Sequence, residues 1–260
     1  MRMKRENLLL QERHDLILKQ LEADGRVIAS VLALDLNVTE DTIRRDLRDL
    51  AAAGLCQKVY GGAVRIAAAP ESGTLTQRLG RQQSGKSRLG AAAATLVKPG
   101  SMIFLDAGSS NLAIAEALPA VPLTVLTNAP SIAARLLDSP HIELIMIGGR
   151  VKQGLGGSVG ATALREVELL RPDLYFIGAC GVDLHAGITA VDFEEAEFKR
   201  RLAAHSKTTA VVATTEKMGA VASFLVLPIA QLTHLIVEQD SDARVMDAYS
   251  AAGTRLLRAE

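Results

Sequence analysis

Apolar residues in the first fifty positions recur at helical spacing, whereas beyond residue 100 they gather into short runs between glycine and hydroxyl residues. Leu16, Ile17, Leu18 and Leu21 supply the apolar side of a first helix that ends near Asp24-Gly25. A second short helix is predicted from about Ile28 to Asp35. A third follows from Thr39 to Ala53 and stops at Gly54. Thr39 is a hydroxyl N-cap, and Glu40 and Asp41 lie in the first turn, where the helix dipole favours carboxylates. Ile43, Leu47 and Leu50 share one face of the third helix at i, i+4, i+7, and Asp41, Arg44, Arg45 and Arg48 point roughly the other way. After Gly54, the stretches Leu55–Tyr60 and Ala63–Arg65 flank Gly61-Gly62 and read as a hairpin.

Residues 66–85 are rich in Ala, Gly, Ser and Gln with Pro70, and are predicted to be a linker. From Lys86 onward helices and apolar strands alternate. Strands are expected at 101–106, 121–127, 142–148, 173–178, 208–213, 223–227 and 233–237. Helices are expected at 86–97, 110–118, 129–138, 161–170, 192–205 and 241–251. Such alternation predicts a mainly parallel sheet covered by helices. The organisation is therefore a helical domain with a hairpin at 1–65, a linker at 66–85 and an α/β domain at 86–260.

Charge adds an asymmetry that the zero net charge hides. Residues 1–90 hold 15 Lys+Arg against 11 Asp+Glu, a net of +4, and residues 91–260 hold 14 against 18, a net of −4. The basic half suits an anionic partner. No apolar run is long enough to span a bilayer, and the basic start is followed by Gln11, Glu12, Arg13, His14 and Asp15 rather than a signal-peptide core. With two widely separated cysteines, Cys56 and Cys180, a cytoplasmic protein is expected. The five histidines, at 14, 141, 185, 205 and 234, lack ligand spacing, so neither a metal nor a cofactor is expected.

The third helix carries the clearest chemistry. Its guanidiniums suit bidentate contact with guanine O6/N7 and with phosphates, and Thr39 and Thr42 sit at the amino end, where a recognition helix meets base edges or backbone. Lys58, Tyr60 and Arg65 suit a wing on the DNA backbone. Alone, the same helix reads as a solvated one laced by Glu40–Arg44 and Arg45–Asp49 pairs. The short helix before it and the hairpin after it favour the winged helix-turn-helix.

These residues resemble the DeoR family of bacterial repressors. Thr42-Ile-Arg-Arg-Asp-Leu47, the Gly54-Leu55 helix stop and Tyr60-Gly-Gly-Ala63 carry the likeness. It continues through Leu105-Asp-Ala-Gly-Ser-Ser110, Leu126-Thr-Asn128, Ile147-Gly-Gly149, Asp173, Phe176-Ile-Gly178, Gly187-Ile-Thr189, Asp192, Glu195 and Lys199. The resemblance implies DNA-binding helices at about 28–35 and 39–53, and a sensor domain similar in fold to ribose-5-phosphate isomerase. Many members carry an Asp-Ser-Ser-Lys-like run where this chain has Ala213-Thr-Thr-Glu-Lys217.

Open parallel sheets bind ligands beyond the carboxyl ends of their strands. Asp106, Gly108, Ser109, Ser110, Thr127, Asn128, Gly148 and Gly149 all fall at such ends. Gly108 and the hydroxyls of Ser109 and Ser110 open a helix whose free N–H groups suit a phosphate. Asp106 reads either as an acceptor for sugar hydroxyls or as a cap for that helix. Asp192 and Glu195 read as pocket residues or as a solvated first turn, and Lys199 and Lys217 as sources of positive charge. The expected function is a repressor of a carbohydrate or sugar-acid operon, binding double-stranded operator DNA as a homodimer or homotetramer under control of a phosphorylated sugar or related metabolite. The alternative is a sugar-phosphate isomerase, since Asp106, Asp192, Glu195 and Lys199 are the right types for proton transfer. A basic winged helix serves no purpose on an isomerase, so a non-enzymatic regulator is preferred.

Overall fold

The computed structural model describes residues 9–260 apart from residues 25, 54, 60, 66–73 and 81. The chain divides into two compact units, Met1–Ala68 and Ala69–Glu260.

The first unit contains α1 (Leu10–Asp24), β1 (Arg26–Ile28), α2 (Ala29–Asp35), α3 (Glu40–Ala52), β2 (Cys56–Val59) and β3 (Gly62–Arg65). Its core joins Ile17 and Leu21 of α1, Leu32 and Leu36, the Ile43–Leu47–Leu50 stripe of α3, and Cys56 and Ala63 of the sheet. Asn37 takes a left-handed φ of 53° in the turn between α2 and α3, a conformation asparagine tolerates. The second helix, expected from about Ile28, starts at Ala29 because Arg26–Ile28 is drawn into antiparallel pairing with β3. The sheet order is β1-β3-β2. Pairing of β2 with β3 runs up to Val59↔Gly62, so Gly62, expected in the turn, belongs to the strand. Gly62 opens β3, where a Cβ would lie 1.9 Å from the Val27 carbonyl oxygen. Glycine is needed at that position so that β1 can approach.

The second unit begins inside the predicted linker. Residues 66–73 and 81 of that stretch lie outside the described residues, but α4 (Leu75–Leu79) and the start of α5 (Gln83–Ala94) are helical. Thr74 and Gln77 form a capping box for α4, a device the Ser/Gln/Gly-rich composition conceals. There follow β4 (Met102–Leu105), α6 (Ser109–Glu116), β5 (Leu123–Thr127), α7 (Pro130–Leu136), β6 (Ile142–Met146), β7 (Arg150–Lys152), β8 (Gly157–Val159), α8 (Ala161–Glu168), β9 (Leu174–Ile177), β10 (Gly181–Asp183), β11 (Gly187–Ala190), α9 (Phe193–His205), β12 (Thr208–Ala213), β13 (Phe224–Leu227), β14 (His234–Glu238), α10 (Ala243–Ala251) and β15 (Arg255–Ala259).

Seven of these strands form one parallel sheet in the order β15-β14-β12-β9-β4-β5-β6. Successive residues of the central strands alternate between two cores. Ile103 and Leu105 pack with α5, α6 and α7, whereas Phe104 packs with α8, α9 and α10. The strand expected at 223–227 forms, but outside this sheet. β12 and β14 pair directly, so β13 joins the antiparallel set β10-β11-β13 instead. From β4 the chain moves outward through β5 and β6, then returns to lay β9 on the other side of β4. Strand order therefore reverses between β4 and β9, the position where an open α/β sheet leaves a crevice at its carboxyl ends.

Among the described residues no helix is long and apolar enough to cross a membrane. Cys56 is buried, Cys180 is partly exposed, and both are free thiols.

Candidate functional site

In the first unit, α3 is held by its cap and by one buried ion pair. Thr39 Oγ1 accepts the Thr42 N–H at 3.2 Å. Asp46, only 1% exposed, lies among the apolar residues of the stripe. Its carboxylate accepts two bonds from Arg13 of α1, Nε–Oδ2 at 2.5 Å and Nη2–Oδ1 at 2.9 Å, and His14 Nε2 lies 3.5 Å from Oδ1. The hydrogen bond to Asp46 raises the Arg13 pKa against the opposing effect of burial. A forked pair of this kind fixes the angle between two helices better than apolar contact alone.

The opposite side of α3 is exposed at Asp41, Arg44, Arg45 and Arg48. Arg44 pairs with Glu40 at 2.7 Å. Arg45 and Arg48 make no ion pair or hydrogen bond among the described residues, and the expected Arg45–Asp49 pair does not form. Lys58 is exposed on β2. Tyr60 lies outside the described residues, as does the side chain of Arg65. The surface presents Arg45 and Arg48, unpaired among the described residues, beside the Glu40-paired Arg44 on one helix, an arrangement suited to phosphates and guanine edges.

In the second unit, the crevice between the ends of β4 and β9 is lined by Arg78, the loop from Ala107 to Asn111, Ile177–Cys180, Glu195, Lys199, Val212 and Lys217. Behind it lies the fully buried Asp106. Its Oδ2 accepts from the Gly178 N–H at 2.9 Å and from Tyr175 Oη at 3.0 Å, and its Oδ1 accepts from the Ala107 N–H at 2.8 Å. Burial, then the Asp106 charge, raises the Tyr175 pKa, so the phenol remains a donor. A Cβ at Gly178 would lie 2.5 Å from the Ala107 carbonyl oxygen, so the two strand ends close up only with glycine there. Lys199 is 1% exposed. Its ammonium bonds the Gly178 carbonyl and Glu195, and lies 3.4 Å from Asp106 Oδ2. Burial alone would lower its pKa, but Asp106 and Glu195 outweigh burial and raise it, so the lysine stays charged.

The open side of the crevice is the amino end of α6. The first intrahelical bond runs from the Leu112 N–H to the Gly108 carbonyl, which leaves the N–H groups of Ser109, Ser110 and Asn111 without helical acceptors. The Ser109 hydroxyl is buried with no partner. Lys217 Nζ bonds Ser110 Oγ at 3.2 Å. Arg78 is 8% exposed, donates through Nη2 to the carbonyls of Gly154 and Leu155 at 3.0 and 2.9 Å, and has an unpartnered Nε. Among the lining side chains, the cations Arg78, Lys199 and Lys217 outnumber the single acid, Glu195. Helix amides, an unpaired hydroxyl and excess positive charge together form an arrangement suited to an anion.

Residues 13–69 match the DeoR-like helix-turn-helix domain, and residues 81–239 match the DeoR C terminal sensor domain. This chain belongs to the DeoR family. Relatives of this DeoR-family regulator include the HTH-type transcriptional regulator GolR of Listeria innocua, 30% identical over 96% of this chain and 98% of that one. The glycerol-3-phosphate regulon repressor of Escherichia coli is 29% identical over 80% of this chain and 82% of its own. Among solved structures, ribose 5 phosphate isomerase A from Neisseria gonorrhoeae superposes with a TM-score of 0.38 at 16% identity, covering 54% of this chain and 55% of that one. At that TM-score the likeness carries no argument about chemistry. The family is one of DNA-binding transcriptional regulators, and this protein is a transcriptional regulator with a sensor domain.

The structure gathers only part of the expected pocket. Gly108, Ser109, Ser110, Glu195, Lys199 and Lys217 line the crevice. Asp106 is not among the lining residues and does not cap α6: it is fully buried, with Oδ2 tying β4 to Tyr175 and Gly178 at β9 and Oδ1 accepting the Ala107 N–H. Thr127 Oγ1 donates to the Leu105 carbonyl at 2.7 Å. Asn128 accepts from the Ala107 N–H at 3.0 Å and donates to the Ser158 carbonyl at 3.1 Å. Both side chains brace the loop after β4 instead of lining the crevice. Gly148 and Gly149 also stand apart from it, and the Gly148 N–H is bound by Glu166. Asp192 caps α9 through the Glu195 N–H and pairs with Lys152, also outside the crevice. Arg78 was missed because it lies in the stretch read as linker, and Asp46 because its partner is 33 positions away.

Proposed function

We propose that this protein represses a carbohydrate or sugar-acid operon and that a phosphorylated sugar or closely related metabolite, bound in the β4/β9 crevice, controls its grip on operator DNA. The observation that carries the reading is the amino end of α6, where free N–H groups and the unpaired Ser109 hydroxyl meet an excess of buried positive charge. The name of the relative from Escherichia coli, a glycerol-3-phosphate regulon repressor, agrees with this ligand class. Thr39, Thr42, Arg44, Arg45 and Arg48 of the α3 region, with Lys58 and Tyr60 of the wing, form the DNA surface of this reading. One recognition helix offers few contacts, so a homodimer or homotetramer reading paired half-sites follows.

A thermal-shift panel on the full chain tests the ligand half. Sugar phosphates and phosphorylated sugar acids are compared with their unphosphorylated parents. A rise in melting temperature confined to phosphorylated compounds is the expected result. Ketose–aldose turnover at enzymatic rates on the same samples would replace the sensor with an isomerase. The burial and mutual pairing of Asp106, Glu195 and Lys199 argue for a sensor.

A further inference from the structure

Arg78 is the one cation of the crevice lining that the sequence did not single out. It is a buried guanidinium with no carboxylate partner among the described residues, held only by two neutral carbonyls and left with an unpartnered Nε. A cation so placed is costly unless an anion completes it. It lines the same crevice as the Ser109 hydroxyl, the other unpartnered buried polar group of that wall. We propose that Arg78 is the side chain that receives the effector's phosphate, together with Ser109 Oγ and the α6 N–H groups, and that an occupied site fixes α4 against the β7–β8 turn. This rests on the reading that the crevice takes a phosphorylated ligand.

The supporting geometry is a chain of polar contacts. Lys86 Nζ donates to the Arg78 carbonyl at 2.7 Å, which ties α4 to α5. Arg78 Nη2 holds Gly154 and Leu155 in the β7–β8 turn. Lys152 of β7 pairs with Asp192, the cap of α9, and α9 carries Glu195 and Lys199 into the crevice. Lys199 bonds Gly178 at the end of β9. A guanidinium matches a dianionic phosphate monoester better than a neutral hydroxyl, because its N–H groups diverge as a fork and its charge is permanent. Arg78 thereby selects phosphorylated effectors over their parent sugars. α4 is also the first described helix after the boundary between the units, at Ala68/Ala69. A ligand held by Arg78 is thus held by the helix closest in sequence to the DNA-binding unit.

The test uses the full chain, inorganic phosphate as probe, chloride as the ionic-strength control, and Arg78→Met and Arg78→Lys variants. Phosphate is expected to raise the melting temperature of the parent and to increase amide-exchange protection at residues 75–79. In Arg78→Met the dissociation constant for phosphate rises by roughly tenfold to a hundredfold, the range of a charge-assisted bond. The phosphate-dependent increment of protection at 75–79 disappears with it. Arg78→Lys keeps the charge without the fork and falls between parent and Met variant. A merely structural arginine would lower protection equally with and without phosphate, and that result overturns the proposal. So does an unchanged dissociation constant in Arg78→Met, or in Arg78→Lys if the Met variant fails to fold. In either case a parent that still responds to phosphate keeps the sensor reading intact. A parent that responds to neither phosphate nor any sugar phosphate removes both.

Discussion

The recognition helix and the sensor crevice both use basic side chains on helices, but under opposite conditions. On α3 the cations Arg45 and Arg48 project into solvent, without partners among the described residues, above a buried stripe of Ile43, Leu47 and Leu50. In the crevice Lys199 and Arg78 are buried, and each is tied into the framework that positions it. An exposed arginine is already hydrated and meets DNA at little cost in stability. A buried one is a structural member as well as a proposed ligand contact. Substitutions in the first region should therefore leave stability nearly unchanged, and substitutions in the second should lower stability as well as ligand binding.

The sharpest break in that comparison is made beneath the cations of α3. Ile43 is 0% exposed, so Ile43→Asp buries an unpaired charge and should cost ~3–5 kcal/mol. The loss should appear in calorimetry as disappearance of the small unit's transition, with operator binding lost and phosphate binding by the sensor retained. Arg45→Ala comes next. It should weaken operator binding by ~1–3 kcal/mol in a fluorescence-anisotropy titration and leave the melting temperature within about a degree of the parent. Equal binding by parent and variant would show that the groove-facing surface lies elsewhere. Thr39→Ala removes the cap of α3 and should cost ~1 kcal/mol by chemical denaturation. The smallest effect concerns acid. Burial opposes ionisation of Asp192, but its bond to Lys152 and the Glu195 N–H together hold its pKa below the usual aspartate value. A depressed carboxylate contributes stability above its unfolded-state pKa and loses it as pH falls through the lower folded value. Asp192→Asn should therefore narrow the stability gap between pH 6 and pH 3 by under ~1 kcal/mol, because the pair is partly exposed.

How much of this was legible in the sequence follows from the range of the interactions. The apolar stripe of α3, its Thr39 cap and six of the seven strands of the parallel sheet come from local periodicity and were readable. β15, Arg255–Ala259, was not, because its arginines leave only Leu256-Leu257 as an apolar pair. β1 was not legible, and its last residue, Ile28, reads as the start of the second helix, because pairing with β3 rather than its own three residues makes it a strand. In the site, the positions at strand ends were readable, but not which way each served. Thr127 and Asn128 carry the right polar groups and spend them on backbone atoms 22 and 30 positions away. Asp46 sits within a motif of charged residues, and only Arg13 explains why it points inward. Composition hid Arg78, since the stretch around it reads as linker until the Thr74–Gln77 capping box is seen.

The central claim is that one ligand couples the two units. It is tested by titrating the protein into a labelled fragment from upstream of its own gene, with and without a saturating phosphorylated sugar that raises the melting temperature. The account predicts a shift in operator affinity of about fivefold or more, matched by an equal shift in ligand affinity when operator is present. Superimposable curves for every phosphorylated sugar that binds would contradict it.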